Sequence, residues 1–388
     1  MRYEILNSKD RQFSNKSQYF PCIIAFILLI FLNMQTEKEN LIGMNIKEMD
    51  KFMQKIGEHG YRANQLFNWI YKKRITSFNQ MTNFSKSLRS LLNNIAEIGL
   101  IKLVKINSTP NNHTKKFLFQ LKDGFCLESV FMIEGKRRTA CLSTQVGCAL
   151  NCDFCATGKM GFKRNLSTGE IVDQLLFIQR HLDSDISNVV LMGMGEPFLN
   201  YDNVIAACEI FSHDKGIAIG KRKITISTAG IIHAIKRFAD EGHKYKLAIS
   251  LNAASDELRN QLMPINKKHP VREVINAAKY YSKQSRYGLT FEYVLIAGVN
   301  DSLKEVFKLQ KLLLDYPCKI NIIPYNETCK KYQRPTEHKI NEFIQPFLKL
   351  NVVISVRRSK GENINAACGQ LYYLSEQSLN ASPCMPNS

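Results

Sequence analysis

Three cysteines stand close together in the run Cys148-Ala149-Leu150-Asn151-Cys152-Asp153-Phe154-Cys155. This C-x3-C-x2-C spacing offers three thiolates to three irons of a cubic [4Fe–4S] cluster and leaves the fourth iron without a protein ligand. Electron-transfer clusters are usually held by four cysteines. A three-cysteine run therefore points to chemistry at an open iron, where a substrate or cofactor can bind. Structural zinc also takes thiolates, but it needs four ligands, usually from two separated pairs. No second CxxC pair is present, and the nearest downstream histidine is His181.

Other residues with chemical potential lie far from this run. Val189-Val190-Leu191-Met192-Gly193-Met194-Gly195-Glu196-Pro197 reads as a strand entering a glycine-rich turn. Glycine lets backbone approach a ligand closely; a tight strand-to-helix turn without a ligand gives the same pattern. Polar residues also end several apolar runs. They are Ser227, then Ser250 and Asn252 in Ile249-Ser250-Leu251-Asn252, and Asn326 after Ile323-Pro324-Tyr325. Such residues form ligand-binding rims in barrels or cap helices, and on their own they leave both readings open. Read alone, Cys141 is a buried strand cysteine and Glu128 a surface charge.

These scattered groups need a scaffold that gathers distant loops, and the periodicity supplies one. Strands are expected at Ser187–Leu191, Lys223–Ser227, Lys244–Leu251, Leu289–Leu295, Cys318–Ile323 and Val352–Val356. Ser167-Thr168-Gly169-Glu170 is a capping box that opens a helix running to about His181. Further helices are expected at Tyr201–Phe211, Ile231–Ala239, Val271–Lys283 and Ser302–Leu314. Six βα units in a row imply parallel strands with right-handed crossovers. The expected fold class is α/β: a partial (β/α)6 barrel, with its site at the C-terminal ends of the strands. The cysteine run falls there, just after the first barrel strand.

Ahead of the barrel, residues 44–104 read as helical. Ile46, Met49, Phe52, Met53 and Ile56 recur at three-to-four spacing. The runs Arg62–Arg74 and Thr82–Asn93 continue that pattern. Residues 115–145 change to alternation, with three strands and a turn at Asp123-Gly124. The expected organisation is an apolar N-terminal extension over 1–33, a small all-α domain over 34–105, a β-hairpin linker over 106–136, the barrel over 137–375 and a tail over 376–388.

Composition narrows the partners. The 388 residues hold 53 Lys and Arg against 34 Asp and Glu, a net charge of +19. The first 33 residues contain only four basic and two acidic side chains, so the bias belongs to the body. A strongly basic enzyme points to a polyanion, usually nucleic acid. Eleven cysteines in no regular framework imply a reducing compartment, hence a cytoplasmic enzyme. The apolar run Ile23–Leu32 is shorter than the roughly 20 residues a spanning helix takes, and no small-residue cleavage site follows it. The preferred reading is that translation begins at Met34, with no stable membrane association; a membrane anchor is the minority reading.

Taken together, the motifs resemble the radical SAM enzymes, and within them the RlmN/Cfr family of RNA methyltransferases. The resemblance spans about residues 36–375. It rests on Tyr61–Tyr71, Cys141-Leu142-Ser143-Thr144-Gln145-Val146-Gly147, Gly161–Leu166, Val356-Arg357-Arg358 and Asn365-Ala366-Ala367-Cys368-Gly369-Gln370-Leu371. It implies a [4Fe–4S] cluster on Cys148, Cys152 and Cys155. It implies S-adenosyl-L-methionine, two molecules per turnover, held by Gly195, Glu196, Ser227, Ser250, Leu251, Asn252 and Asn326.

The implied reaction is methylation of carbon 2 of an adenosine in 23S rRNA and in certain tRNAs. That carbon is electron-poor and the cofactor's methyl is an electrophile, so direct transfer has no driving route. A thiolate can take the methyl first, as in other covalent catalysis, and a cofactor-derived radical then does the hard step. The resemblance makes Cys368 the methyl carrier, from which a 5′-deoxyadenosyl radical removes hydrogen. It makes Glu128 the proton acceptor and Cys141 the thiol that releases product by forming a disulfide with Cys368. It also implies a reductant such as flavodoxin and a monomeric enzyme. Cys126, Cys208 and Cys318 match no family motif and read as structural. Lys72-Lys73-Arg74, Lys136-Arg137-Arg138, Lys221-Arg222-Lys223, Lys330-Lys331 and Arg357-Arg358 are expected to meet RNA phosphates. The alternatives are methylation of carbon 8 of the same rRNA adenine, or a zinc-containing RNA-binding protein.

Overall fold

The computed structural model describes residues 38–285, 287–313, 318–349, 353–358 and 361–372. The apolar run before Met34 and the 376–388 tail lie outside the described residues. Among the described residues no helix is long and apolar enough to cross a membrane.

The chain opens with a two-residue strand β1 (Glu39–Asn40) and the helices α1 (Ile46–Lys55), α2 (Tyr61–Phe67) and α3 (Lys86–Ile95). Asn45 and Glu48 form a capping box on α1, and Met49, Phe52 and Met53 are its buried face. The expected helix from Arg62 to Arg74 is α-helical only to Phe67; Asn68–Lys72 widens into a π turn that buries Ile70 and Tyr71. The short strand β2 (Ala96–Glu97) pairs with β1. This helical part does not stand apart from the rest. Phe67 packs on His213 with ring centroids 4.8 Å apart, and Lys215 Nζ donates to Asn64 Oδ1 at 2.9 Å. One apolar core runs from Leu41 through to Leu371.

A meander follows: β3 (Ile101–Ser108), β4 (Thr114–Leu121), β5 (Cys126–Glu134) and β6 (Arg137–Cys141). β3 crosses the boundary expected at 105 and begins inside the stretch read as helical. Its alternation is interrupted between Leu103 and Lys105, where the ladder slips by a residue. A bulge of this kind breaks the period-2 signal.

Beyond β6 lie β7 (Gln145–Gly147), a one-turn helix α4 (Ala156–Lys159), β8 (Phe162–Asn165) and α5 (Thr168–Leu182). The capping box of Ser167 and Glu170 is present at the start of α5. Strand and helix then alternate: β9 (Asn188–Leu191), α6 (Tyr201–Ser212), β10 (Ile224–Thr228), α7 (Ile232–Asp240) and β11 (Lys246–Ser250). Two helices, α8 (Asp256–Leu262) and α9 (Val271–Gln284), precede β12 (Leu289–Leu295). The series ends with α10 (Leu303–Leu313), β13 (Lys319–Pro324), α11 (Glu337–Ile344) and β14 (Val353–Val356).

All six expected barrel strands are present. β6 pairs parallel to β9, so the parallel run holds seven strands among the described residues. β5, β4 and β3 continue the same sheet in antiparallel fashion, giving ten strands in the order β14-β13-β12-β11-β10-β9-β6-β5-β4-β3. The meander is therefore an extension of the barrel wall. Its face shared with β6 carries residues of the site.

Candidate active site

The cysteine run hangs from a two-stranded clamp. β7 and β8 pair antiparallel at its base, and Cys148 N–H donates to the Gly161 carbonyl at 3.1 Å. Gly147 enters the loop at φ +73°, and a Cβ there would lie 1.8 Å from the Gly161 carbonyl oxygen. Glycine is the residue that tolerates both demands. Within the loop Cys155 N–H donates to the Cys152 carbonyl at 3.0 Å, which folds the three thiols toward one side.

That side is a cavity of about 700 Å³, walled by the parallel strands and by β5. Cys148, Cys152 and Cys155 line it together with Gly195, Glu196, Ser227, Ser250, Asn252, Asn326, Cys141 and Cys368. Strand ends far apart in the sequence thus converge, as the barrel rule requires. Burial pushes the Cys148 thiol up to about 12, and the neighbouring Cys155 and Glu196 add to the push. Burial and the other two thiols hold Cys152 well above the ordinary thiol range. Burial likewise raises Cys155. Three crowded thiols that resist losing their protons to water favour a soft metal centre that takes the thiolates directly. Among the described residues no group of three or more His, Cys, Asp or Glu is gathered to hold a single ion. The three thiols line one cavity, and a set of three thiol donors fits a [4Fe–4S] cluster with one iron left open.

Glu196 is buried at the turn after β9, and its carboxylate ties two loops. Oε1 accepts from Phe198 N–H at 3.0 Å and Oε2 from Ala229 N–H at 2.7 Å. Burial still pushes its carboxyl up to about 7. Gly195 adopts φ +100°, and a Cβ there would lie 2.5 Å from Gln145 Cβ. Asn252 also has positive φ, and its Oδ1 accepts from Val294 N–H at 2.8 Å. Asn326 Nδ2 donates to the Cys368 carbonyl at 3.1 Å, while its Oδ1 is buried with no hydrogen-bond partner. That orphan acceptor faces the demand of a donor group, as the amino or adenine nitrogens of S-adenosylmethionine supply.

Two expected residues stand outside the cavity lining. The Leu251 side chain is fully buried in the core. Its carbonyl accepts from Arg259 Nε at 2.9 Å. Glu128 lies on the cavity side of β5, but the end of the Cys368 segment covers it: Tyr372 N–H donates to its Oε2 at 3.0 Å. The expected disulfide is absent, and Cys141 and Cys368 are both free thiols. Cys141 is fixed on β6, and the Cys368 loop is held separately by Asn326 and by Ala156 N–H on the Gly369 carbonyl at 2.8 Å.

Two further residues of the cavity lining went unrecognised in the motifs. Arg357, expected on RNA phosphate, instead lines the cavity. The neighbouring Cys368 pushes its pKa up, with Glu292 and Cys141 adding to it. Burial, with Cys368 beside it, pushes the Cys141 thiol up to about 12, and Arg357 opposes this. Glu292, on the apolar strand β12, accepts from Ser227 Oγ at 3.2 Å, and burial raises it. A lone carboxylate in a buried parallel strand was the available signal.

Arg259 is fully buried on α8. It donates to the Leu251, Ala229, Ser250 and His269 carbonyls and to Asn266 Oδ1. It thereby pins the ends of β10 and β11 against each other. Arg259→Met keeps the stem but strips these acceptors of their donor. With roughly 1–3 kcal/mol for each unsatisfied buried group, a loss of about 5 kcal/mol or more is expected. A lower urea midpoint measures it; an unchanged midpoint would count against the pinning role.

A parallel α/β barrel with a three-cysteine loop at its strand ends defines a radical SAM enzyme. Residues 142–309 match the radical SAM superfamily, and residues 39–98 match the family described as the ribosomal RNA large subunit methyltransferase N-terminal domain. The chain is 45% identical over 344 residues to a probable dual-specificity RNA methyltransferase RlmN of Thermoanaerobacter sp. (strain X514), covering 87% of this chain and 99% of that protein. It is 45% identical over 333 residues to the protein of the same description from Pseudothermotoga lettingae, covering 84% and 97%. The crystal structure of a radical SAM methyltransferase from Sphaerobacter thermophilus matches with a TM-score of 0.83 at 38% identity, covering 86% of this chain and 99% of that one. The chain belongs to the RlmN family of dual-specificity RNA methyltransferases.

Proposed function

We propose that this enzyme methylates carbon 2 of an adenosine in 23S rRNA and in certain tRNAs, through a methyl group carried on Cys368. The observation that supports this most is the sharing of one cavity by two groups of thiols. Cys141 and Cys368 line the same space as Cys148, Cys152 and Cys155. In the proposal the last three hold the [4Fe–4S] cluster, while Gly195, Glu196, Ser227, Ser250, Asn252 and Asn326 hold S-adenosylmethionine. When bound, these groups supply a methyl group to a sulfur and then a radical able to take hydrogen from it, two S-adenosylmethionine molecules being used.

The chain's own residues do the rest. The Cys368 thiolate accepts the methyl, with the Arg357 guanidinium beside it to stabilise the anion. The methylene radical carried on Cys368 adds to the ring carbon, Glu128 accepts the proton that leaves that carbon, and the one surplus electron would pass to the bound cluster. The Cys141 thiolate attacks the Cys368 sulfur and forms a disulfide; the electron pair of the breaking sulfur–carbon bond goes to the methylene carbon, which takes a proton and becomes the methyl group of the product. The disulfide is a passing product state that an external reductant, such as flavodoxin or a thiol system, must clear. The enzyme acts in the cytoplasm as a monomer. The adenine must leave its stack to reach the cavity.

Mass spectrometry of nucleosides from 23S rRNA and tRNA tests this, in a deletion strain with and without the gene restored. The expected product is 2-methyladenosine, lost on deletion and regained on restoration. The appearance of 8-methyladenosine, or no change in either nucleoside, would overturn the assignment.

A further inference from the structure

Glu128 has a partner that the reaction as described does not use. Val130 on β5 pairs with Cys141 on β6, and residues two apart on a strand share a face. Glu128 is therefore one step along from Val130 on the side that carries Cys141. On the other flank β4 places Lys116 opposite Val130. Lys116 Nζ stands 2.8 Å from Glu128 Oε1, with the two side chains only 9% and 5% exposed. The other group that reaches the carboxylate is the Tyr372 N–H from the C-terminal segment; Cys126 shares its face on β5, and Cys141 stands opposite Val130, two residues along.

An ammonium this buried is costly unless paired, and so is a lone carboxylate. Well inside a wall, such a pair is ordinary packing. Here it lies on the face of β5 that carries Val130, the residue paired with Cys141, and under the segment that carries Cys368. We propose that Lys116 is a positioning residue that keeps Glu128 ionised, so that it can accept the ring proton of the adenine. This rests on the reading of Glu128 as proton acceptor. In that step the ring C–H bond breaks, its electron pair stays with the ring, and an O–H bond forms on Glu128. Lys116 keeps its protons, and the ion pair becomes a hydrogen bond to a neutral acid.

Burial raises the Glu128 carboxyl, and Lys116 pulls it back. A base works when deprotonated, so removing the ammonium must move the acid limb of the rate to higher pH. Each unit of such a shift is a tenfold change below the limb.

The test uses the full chain with its cluster reconstituted, and variants carrying iron in wild-type amounts. Single-turnover formation of methylated adenosine is followed against pH. Lys116→Met and Lys116→Gln should fall about tenfold or more at pH 7 and recover as pH rises. Lys116→Arg should keep the wild-type profile. Infrared titration of the carboxyl band, assigned by its loss in Glu128→Gln, should show Glu128 staying protonated to higher pH in Lys116→Met. An unshifted profile in both neutral variants, or a defect equal at every pH and shared by Lys116→Arg, overturns the role of Lys116. Full turnover by Glu128→Gln overturns the proton-acceptor reading itself, a failure visible without any Lys116 variant.

Discussion

In a Cys141→Ala variant, RNA is expected to remain covalently tied to Cys368. The variant keeps the methyl carrier and the means of forming the carbon–carbon bond. It lacks the thiol that must break the sulfur–carbon bond, so the reaction stops one step short of release. A slow-migrating protein–RNA species should survive denaturation and disappear after ribonuclease treatment. Cys368→Ala has no carrier and should give neither methylated protein nor trapped RNA. Free product should fall to background in both. The placement of the two thiols supports this division: they share the cavity, and Arg357, which lines it too, is electrostatically coupled to both. If neither variant traps RNA, or both do, the two-thiol scheme does not describe this enzyme.

Cys152→Ala is expected to abolish the cluster and with it all cleavage of S-adenosylmethionine. Cys152 is charge-coupled to both Cys148 and Cys155. Two thiolates cannot hold a cubane with one open corner. Anaerobically prepared wild type should be brown, with four irons expected per chain by the cubane formula, and its visible absorption should bleach on reduction. The variant should be colourless, with cleavage at background. A variant with a full cluster and normal cleavage would remove Cys152 from the ligand set. A colourless wild type with one zinc per chain would favour the RNA-binding alternative.

Much of the scaffold was legible because its signals are local. Leu289–Leu295 is a strand over the residues expected, since an apolar β-branched and aromatic run between turns has few other solutions. Ser167 and Glu170 announced α5 by a reciprocal bond three residues apart. β3 was hidden because its bulge at Leu103 breaks the alternation. The site was legible where a motif lies within one loop, as in Cys148 to Cys155. It was not legible where function depends on a partner distant in the chain. Arg259 in Asp256–Leu262 looks like any exposed helix arginine, and only the turns at Ala229 and Leu251 give it acceptors. Glu128 meets the Tyr372 amide 244 residues later, a distance no local pattern spans. Arg357 reads as half of a basic pair, while the fold turns it inward and leaves Arg358 exposed on Glu337 at 2.8 Å.

The seam between the two halves of the sheet sets how the two reacting sulfurs can meet. Cys141 sits on β6, which is zipped to β5 on one side and β9 on the other. Amides so placed exchange with solvent only when large cooperative units open. Cys368 sits on a loop fastened by single bonds, to Asn326, Ala156, Thr157, Glu327 and Glu128. Such fastenings open locally and often. One sulfur is thus a post and the other an arm. In the proposed reaction, any travel that brings them into bonding distance, or carries a methyl group from cofactor to base, belongs to Cys368. Deuterium uptake should accordingly be slow across Arg137–Cys141 and fast across Ala366–Tyr372.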